Sequence, residues 1–193
     1  MPILAHKGKR LKAKGKYIVI PAAVIDTSFK LQLITTTPDQ SVTIPHLSGY
    51  DYNYTVDYGD NSPLGTVTSY NDGDCTHVYT TPGTYVMKIL GTCETFYTDG
   101  SGTMKDVITQ VLQWSNTVLK RINLGGCSNL TEVATDTASG LTLVTDFTNM
   151  FSVCSSFSSI PSGLFDYAVN ATNFYGTFQY TPISSIPSGL FDN

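Results

Sequence analysis

Three histidines, four cysteines and a crowd of aspartates are the residues of this 193-residue chain whose side chains could do chemistry. His6, His46 and His77 would serve as general bases or metal ligands, and Cys75, Cys93, Cys127 and Cys154 as nucleophiles or soft-metal ligands. Their spacing supports none of these roles. No two cysteines form a Cys-x-x-Cys, His6 and His46 stand alone, and no Cys–His cluster has the spacing of a zinc site. No nucleophile elbow, phosphate-binding loop or His-Glu-x-x-His occurs either. Asp51, Asp57, Asp60, Asp72 and Asp74 crowd around two turns, where a hard cation such as calcium would want about six to eight oxygens. Asp, Asn and Gly are equally what turns need for their own backbone bonding. The chain is therefore read as non-enzymatic and without a cofactor, calcium being the one ion its loops would suit. Cys127 and Cys154 lie 27 residues apart at equivalent places in a repeat and read as small core residues. Free thiols are expected throughout.

The elements that must carry these residues are strands. Thr, Ser, Tyr, Val and Ile dominate, a composition that fits pleated, half-buried surfaces. With 41% hydrophobic, 11% aromatic and only 13% charged residues, disorder is excluded as the main state. The longest apolar stretch, Tyr17–Ile25, is nine residues with Pro21 inside it, far short of the roughly 20 a spanning helix needs. Phe29–Thr35, Ser41–Ile44 and Tyr50–Tyr58 read as strands separated by Pro-Asp, Gly-Asp-Asn-Ser and Asn-Asp-Gly-Asp turns. After the Thr-Pro-Gly turn, Tyr85, Met87 and Ile89 share one strand face. Tyr50, Tyr52, Tyr54 and Tyr58 share parity, which makes one face aromatic: a core face, or a platform for carbohydrate. Tyr97–Gly102 reads as a short linker, and no segment asks for a long helix.

The C-terminal third repeats itself. Ile160-Pro-Ser-Gly-Leu-Phe-Asp166 recurs as Ile186-Pro-Ser-Gly-Leu-Phe-Asp192, 26 residues on. Thr145-Asp-Phe147 and Phe151 correspond to Thr172-Asn-Phe174 and Phe178 at a spacing of 27, and Cys127–Val133 matches Cys154–Ile160 at the same spacing. Three units of this length mark a solenoid of leucine-rich-repeat type. One unit cannot bury enough apolar surface to offset the entropy of ordering its backbone, so neighbours must stack on it. Leu190 and Phe191 end the last unit with no polar cap, from which one expects either further chain or another molecule over that end. Tyr167, Tyr175 and Tyr180 occupy repeat positions that vary, where a partner surface would sit.

Charge divides the chain. Lys7, Lys9, Arg10, Lys12, Lys14 and Lys16 supply six of the 11 positive charges, and no acid precedes Asp26. From Tyr17 onward the chain carries five positives against 15 acids, so an acidic body trails a basic arm. A basic stretch before an apolar run suggests a secretion signal, but Pro21 sits mid-run and no small-x-small cleavage site precedes Asp26. The arm has too little apolar surface to order alone and is expected to be held by a partner. Fully extended, sixteen residues reach about 50 Å.

Two resemblances join these readings. Thr55-Val-Asp-Tyr-Gly-Asp-Asn61, then His77-Val-Tyr-Thr-Thr-Pro-Gly-Thr-Tyr-Val-Met-Lys-Ile89, resembles the β-sandwich of the PKD (polycystic kidney disease) type, departing from its pattern at Tyr58 and Asn61. The resemblance implies structural roles for Asp57, Gly59, Asp60, His77, Tyr79, Pro82, Gly83 and Tyr85. The region from 107 onward resembles BspA-type leucine-rich repeats in Leu124-Gly-Gly-Cys-Ser-Asn-Leu-Thr-Glu-Val133 and in the Ile-Pro-Ser-Gly-Leu-Phe-Asp phrases. The expected architecture is mostly β: a basic arm over 1–26, a small antiparallel PKD-like or Ig-like sandwich over 27–98, and leucine-rich repeats over 99–193. Arm, β-domain and repetitive distal part together resemble a tailed-phage head fibre or decoration protein. That resemblance implies capsid proteins as partners for the arm, a virion location, a homo-oligomer, and distal repeats that meet a host-surface protein or glycan. A bacterial cell-surface adhesin, and nucleic-acid contact through the arm, are the alternatives.

Overall fold

In the computed structural model, residues 10–13, 16–19, 26–114, 118–137 and 139–192 are described, the first two segments through their backbone alone. The protein is mostly β, with two short 3-10 turns (Gly73–Cys75 and Met104–Asp106) and no α-helix among the described residues. The first pairing is a hairpin: β1 (Arg10–Ala13) runs antiparallel to β2 (Lys16–Val19), Arg10 opposite Val19 and Ala13 opposite Lys16.

A six-stranded sheet forms the centre. Its strands are β3 (Phe29–Thr35), β5 (Tyr52–Asp57), β6 (Gly65–Val67), β8 (Gly83–Cys93), β10 (Ile108–Gln113) and β12 (Glu132–Val133), in the order β12-β10-β3-β8-β5-β6. Every pairing is antiparallel except β10 with β12. A pair of shorter strands, β4 (Gln40–Thr43) and β7 (Thr76–Tyr79), lies apart, as does a parallel pair of β9 (Thr95–Tyr97) and β11 (Arg121–Asn123).

Alternation explains which face is buried. Phe29, Leu31 and Leu33 of β3 and Tyr52, Tyr54 and Val56 of β5 point inward, while Asn53 and Thr55 face solvent. Of the aromatic face, Tyr52, Tyr54 and Tyr58 are therefore core, and Tyr50 packs partly against it. In β8, Met87 and Ile89 are fully enclosed and Tyr85 partly so, on the face that alternation assigns them. Gly91 lets β8 approach β5 closely: its φ is +123°, and a Cβ there would sit 2.5 Å from the Asn53 carbonyl oxygen.

The boundary expected at 98/99 is not a break. β10 and β12, both beyond it, complete the central sheet, with β10 hydrogen-bonded to β3. Phe29 meets Phe96 edge-on at 5.6 Å and stacks on Trp114 at 5.8 Å, whose indole N–H donates to the Ala134 carbonyl at 2.6 Å. The Tyr97–Gly102 stretch is likewise no free linker. Tyr97 N–H donates to Pro45, Thr98 to Asn123 and Gly100 to Gly125. One hydrophobic core runs from Phe29 to Leu190.

Past β11 the backbone is held by bonds between residues 26 apart. Leu124 and Gly126 donate to Met150 and Ser152; Phe147, Asn149, Phe151 and Val153 donate to Asn173, Tyr175, Thr177 and Gln179. Phe147 stacks on Phe174 at 5.1 Å and Phe151 on Phe178 at 5.7 Å, ring planes within 8°. Cys127 and Cys154 are buried free thiols, as are Cys75 and Cys93.

Candidate functional site

The residues of the phrases Thr55–Asn61 and His77–Ile89 assemble into one knot between β5, β7 and β8. Asp60 accepts from His77 Nε2 at 2.7 Å, and the imidazole lies flat on Tyr58 at 4.2 Å with planes 10° apart. Tyr79 meets that imidazole edge-on at 4.7 Å, donates its hydroxyl to the Tyr58 carbonyl at 2.9 Å, and stacks on Tyr85 at 4.4 Å. Tyr85 donates to the Thr81 carbonyl at 2.6 Å, closing the Thr-Pro-Gly turn in which exposed Pro82 precedes Gly83. Burial pushes the Asp60 carboxyl upward, but the Ser62 and His77 bonds outweigh it and hold it below the usual carboxylate range. Gly59 has φ +81°, and a Cβ there would lie 2.5 Å from the Val86 carbonyl oxygen. The Asp60 carboxylate and the Tyr79 and Tyr85 hydroxyls each find their partner inside the knot. Its chemistry is that of a fastener.

The aspartates do the same work for their turns. Asp57 accepts from Gly59 N–H at 2.9 Å, Asp72 from Thr68 and Asp74, and Asp74 from Thr66 at 2.7 Å. Lys88 stands 3.7 Å from Asp57. Among the described residues, no group of three or more His, Cys, Asp or Glu is placed to hold a metal ion.

One constellation has no counterpart in the sequence pattern. His46, expected to stand alone, is partly buried, with Cys75 Sγ at 3.4 Å from Nδ1, and Tyr54 Oη at 3.1 Å and Cys93 Sγ at 3.9 Å from Nε2. Tyr52 packs against its ring at 4.2 Å. Burial drives the imidazole down to about 4 against a hydrogen bond to the Tyr70 backbone, pushes the Cys75 thiol up to about 11, and raises Cys93 and Tyr54 as well. A thiol so disfavoured from ionising is a poor nucleophile. The cluster is a packed, neutral polar pocket. Sequence could have hinted at it only through the inward parity of Tyr52, Tyr54 and Cys93 on strands that prove to be neighbours.

Of the basic residues, Arg10 and Lys12 fall in β1 and Lys16 in β2; Lys7, Lys9 and Lys14 lie outside the described residues. In the repeat region Tyr175 and Tyr180 are about three-quarters exposed and Tyr167 nearly half. A cavity of about 460 Å³ opens beside the ladder, lined by Tyr97, Lys105, Asn123, Gly125, Gly126 and Asn149 among others. Compared with family models, with curated proteins and with solved structures, the chain gives no match. No helix among the described residues is long and apolar enough to cross a membrane.

Proposed function

We propose that this chain is a non-enzymatic virion structural protein, a head fibre or decoration protein held on a capsid by its basic segment and displaying its distal part outward. In this reading residues 27–98 with β10 and β12 make a PKD-like sandwich. The remainder is a short solenoid of BspA-type leucine-rich repeats. The observation that supports the proposal is the series of backbone bonds between successive units: Thr98 to Asn123, Leu124 to Met150 and Phe147 to Asn173, with Thr172 donating back to Thr145. Backbone bonds that recur between residues 25 to 27 apart build a self-supporting stack, which is what a displayed module requires.

Two further facts favour it over catalysis. The titratable groups of the body serve its own packing: Asp60 with His77, Glu94 with Lys120 at 2.5 Å, and His46 among two thiols and two tyrosines. Meanwhile Lys and Arg are absent from residue 122 onward, so the basic charge is concentrated at the opposite end from the repeats. Such an arm suits an acidic groove on a shell, and its hold would weaken with salt because the Debye length is about 10 Å at 0.1 M.

Deleting residues 2–16 tests the proposal. The body should fold unchanged by circular dichroism, while incorporation into particles falls to background. Normal incorporation of the truncated chain would reject capsid anchoring. A steep, arm-dependent salt slope in DNA binding would favour nucleic acid as the arm's target instead.

A further inference from the structure

In the cavity of about 460 Å³ beside the ladder, polar groups gather without pairing. It lies where the loop after β9 meets the turns after β11 and after Phe147. Gly100 donates to the Gly125 carbonyl at 2.8 Å, and a Cβ on Gly126 would sit 2.6 Å from the Gly100 Cα. Bare backbone therefore lines this part of the cavity. Around it stand Tyr97, Asp99, Asn149 and Ser152. The Tyr97 and Ser152 hydroxyls bond to no other described residue, and neither is enclosed. Asp99 accepts from the Ser101 hydroxyl through one carboxylate oxygen, at 2.6 Å, and the other is unmatched. Asn149 Oδ1 is enclosed without a donor, while its Nδ2 is open and has no acceptor. In the Asp60–His77 knot the corresponding groups are matched.

We propose that this cavity binds a neutral sugar, one pyranose ring of a glycan. Its volume falls within the roughly 300–1,000 Å³ of small-molecule sites. A pyranose has an apolar C–H face and a rim of hydroxyls, each able to donate and to accept. Tyr97 supplies an aromatic surface for the first, and the unmatched hydroxyls, amide donor and carboxylate acceptor supply partners for the second. The aromatic wall is already set: the Arg121 guanidinium lies 5.0 Å from the Tyr97 ring centroid and 3.9 Å from Asp146. Such preorganisation lowers what binding must otherwise order.

Charge and hydrogen bonding exclude the other ligand classes. Lys105, the cation that lines the cavity, is ion-paired with Asp106, and Arg121 faces Asp146. Asp99 stands exposed beside them, so an anion would meet no uncompensated positive charge. An apolar ligand would cover the unmatched polar groups without replacing their water, each at the cost of a lost hydrogen bond. The site gives the displayed part of the protein a ligand, and for that role it rests on the function proposed above; the binding itself does not.

The probes are the methyl pyranosides of glucose, galactose, mannose and N-acetylglucosamine, added to the intact protein while amide shifts are followed by NMR. At about 50 mM, at least one should shift the amides of Gly100, Gly125, Gly126 and Ser152 and leave those of the Asp60–His77 knot in place. Asp99→Asn, at an exposed site, keeps the Ser101 bond and should fold normally but bind about tenfold more weakly. Ser152→Trp, which fills the cavity, should abolish binding; the Asp99→Asn result decides the matter should that variant not fold. No shift at these four amides with any probe up to about 100 mM would overturn the proposal, as would undiminished binding by Asp99→Asn and Ser152→Trp. A response to glucuronic acid or N-acetylneuraminic acid alone would overturn the charge argument. Neither arm nor particle enters this experiment, so its failure would leave the arm-deletion test standing, and the reverse holds too.

Discussion

Lowering the pH from 7.5 to 4.5 should destabilise this protein through one residue, His46. Its imidazole is held at about 4 in the fold against an ordinary 6.5, chiefly because burial disfavours the charged ring. The groups that face it, Tyr52, Tyr54, Cys75 and Cys93, offer no negative charge in this range, since burial raises all four. With the folded value depressed, the unfolded chain binds the proton first. Stability is then fully present above pH 6.5, falls as the pH drops toward 4, and levels off below that. Linkage over that window gives a loss of at most about 2 kcal/mol at pH 5, the ring being only partly enclosed. The assay is urea denaturation of wild type and His46→Gln at half-unit pH steps. The Gln side chain cannot charge, so the gap between the two stabilities should narrow or invert by about 1–2 kcal/mol between pH 7.5 and 4.5. Asp60, Glu94 and Asp146, all held below the usual carboxylate range, add their own losses only at lower pH, as they protonate. Parallel curves for the two proteins through this window would refute the reasoning.

Other expectations are as direct. Gly59→Ala forces a side chain into left-handed backbone and against the Val86 carbonyl, and should cost about 2–3 kcal/mol in chemical denaturation. Phe151→Ala should cost about 3–5 kcal/mol, because the ring is fully buried between Phe157 and Phe178, whereas Tyr180→Ser at an exposed site should stay within about 0.5 kcal/mol. Trp114 is the only tryptophan and sits where the central sheet meets the repeats. Its fluorescence and the far-UV circular dichroism should therefore report one coincident unfolding transition, and two separated transitions would contradict a continuous core.

Much of the local structure is legible in the chain. Period-two alternation in Phe29–Thr35 and Tyr52–Asp57 names the buried face, because a strand exposes opposite sides at successive residues. The paired phrases around Asp57–Asn61 and His77–Tyr85 mark a common knot, since each residue type serves a turn or a stacked ring. The 27-residue spacing anticipates which phenylalanines lie over which. The buried state of Cys127 and Cys154 agrees with their shared position in that spacing.

What the sequence alone determined, then, is everything that depends on neighbours along the chain: strand faces, turn chemistry and the period of the repeats. The tertiary structure decided the rest. Strand β10 crosses the expected domain boundary to pair with β3, His46 finds Cys75 and Cys93 from distant segments, and backbone bonds join Leu124 to Met150 and Phe147 to Asn173 across successive units. These depend on which edges meet across long stretches of chain. Such pairings are chosen by the burial of whole faces together, and no single residue's type or spacing encodes that choice.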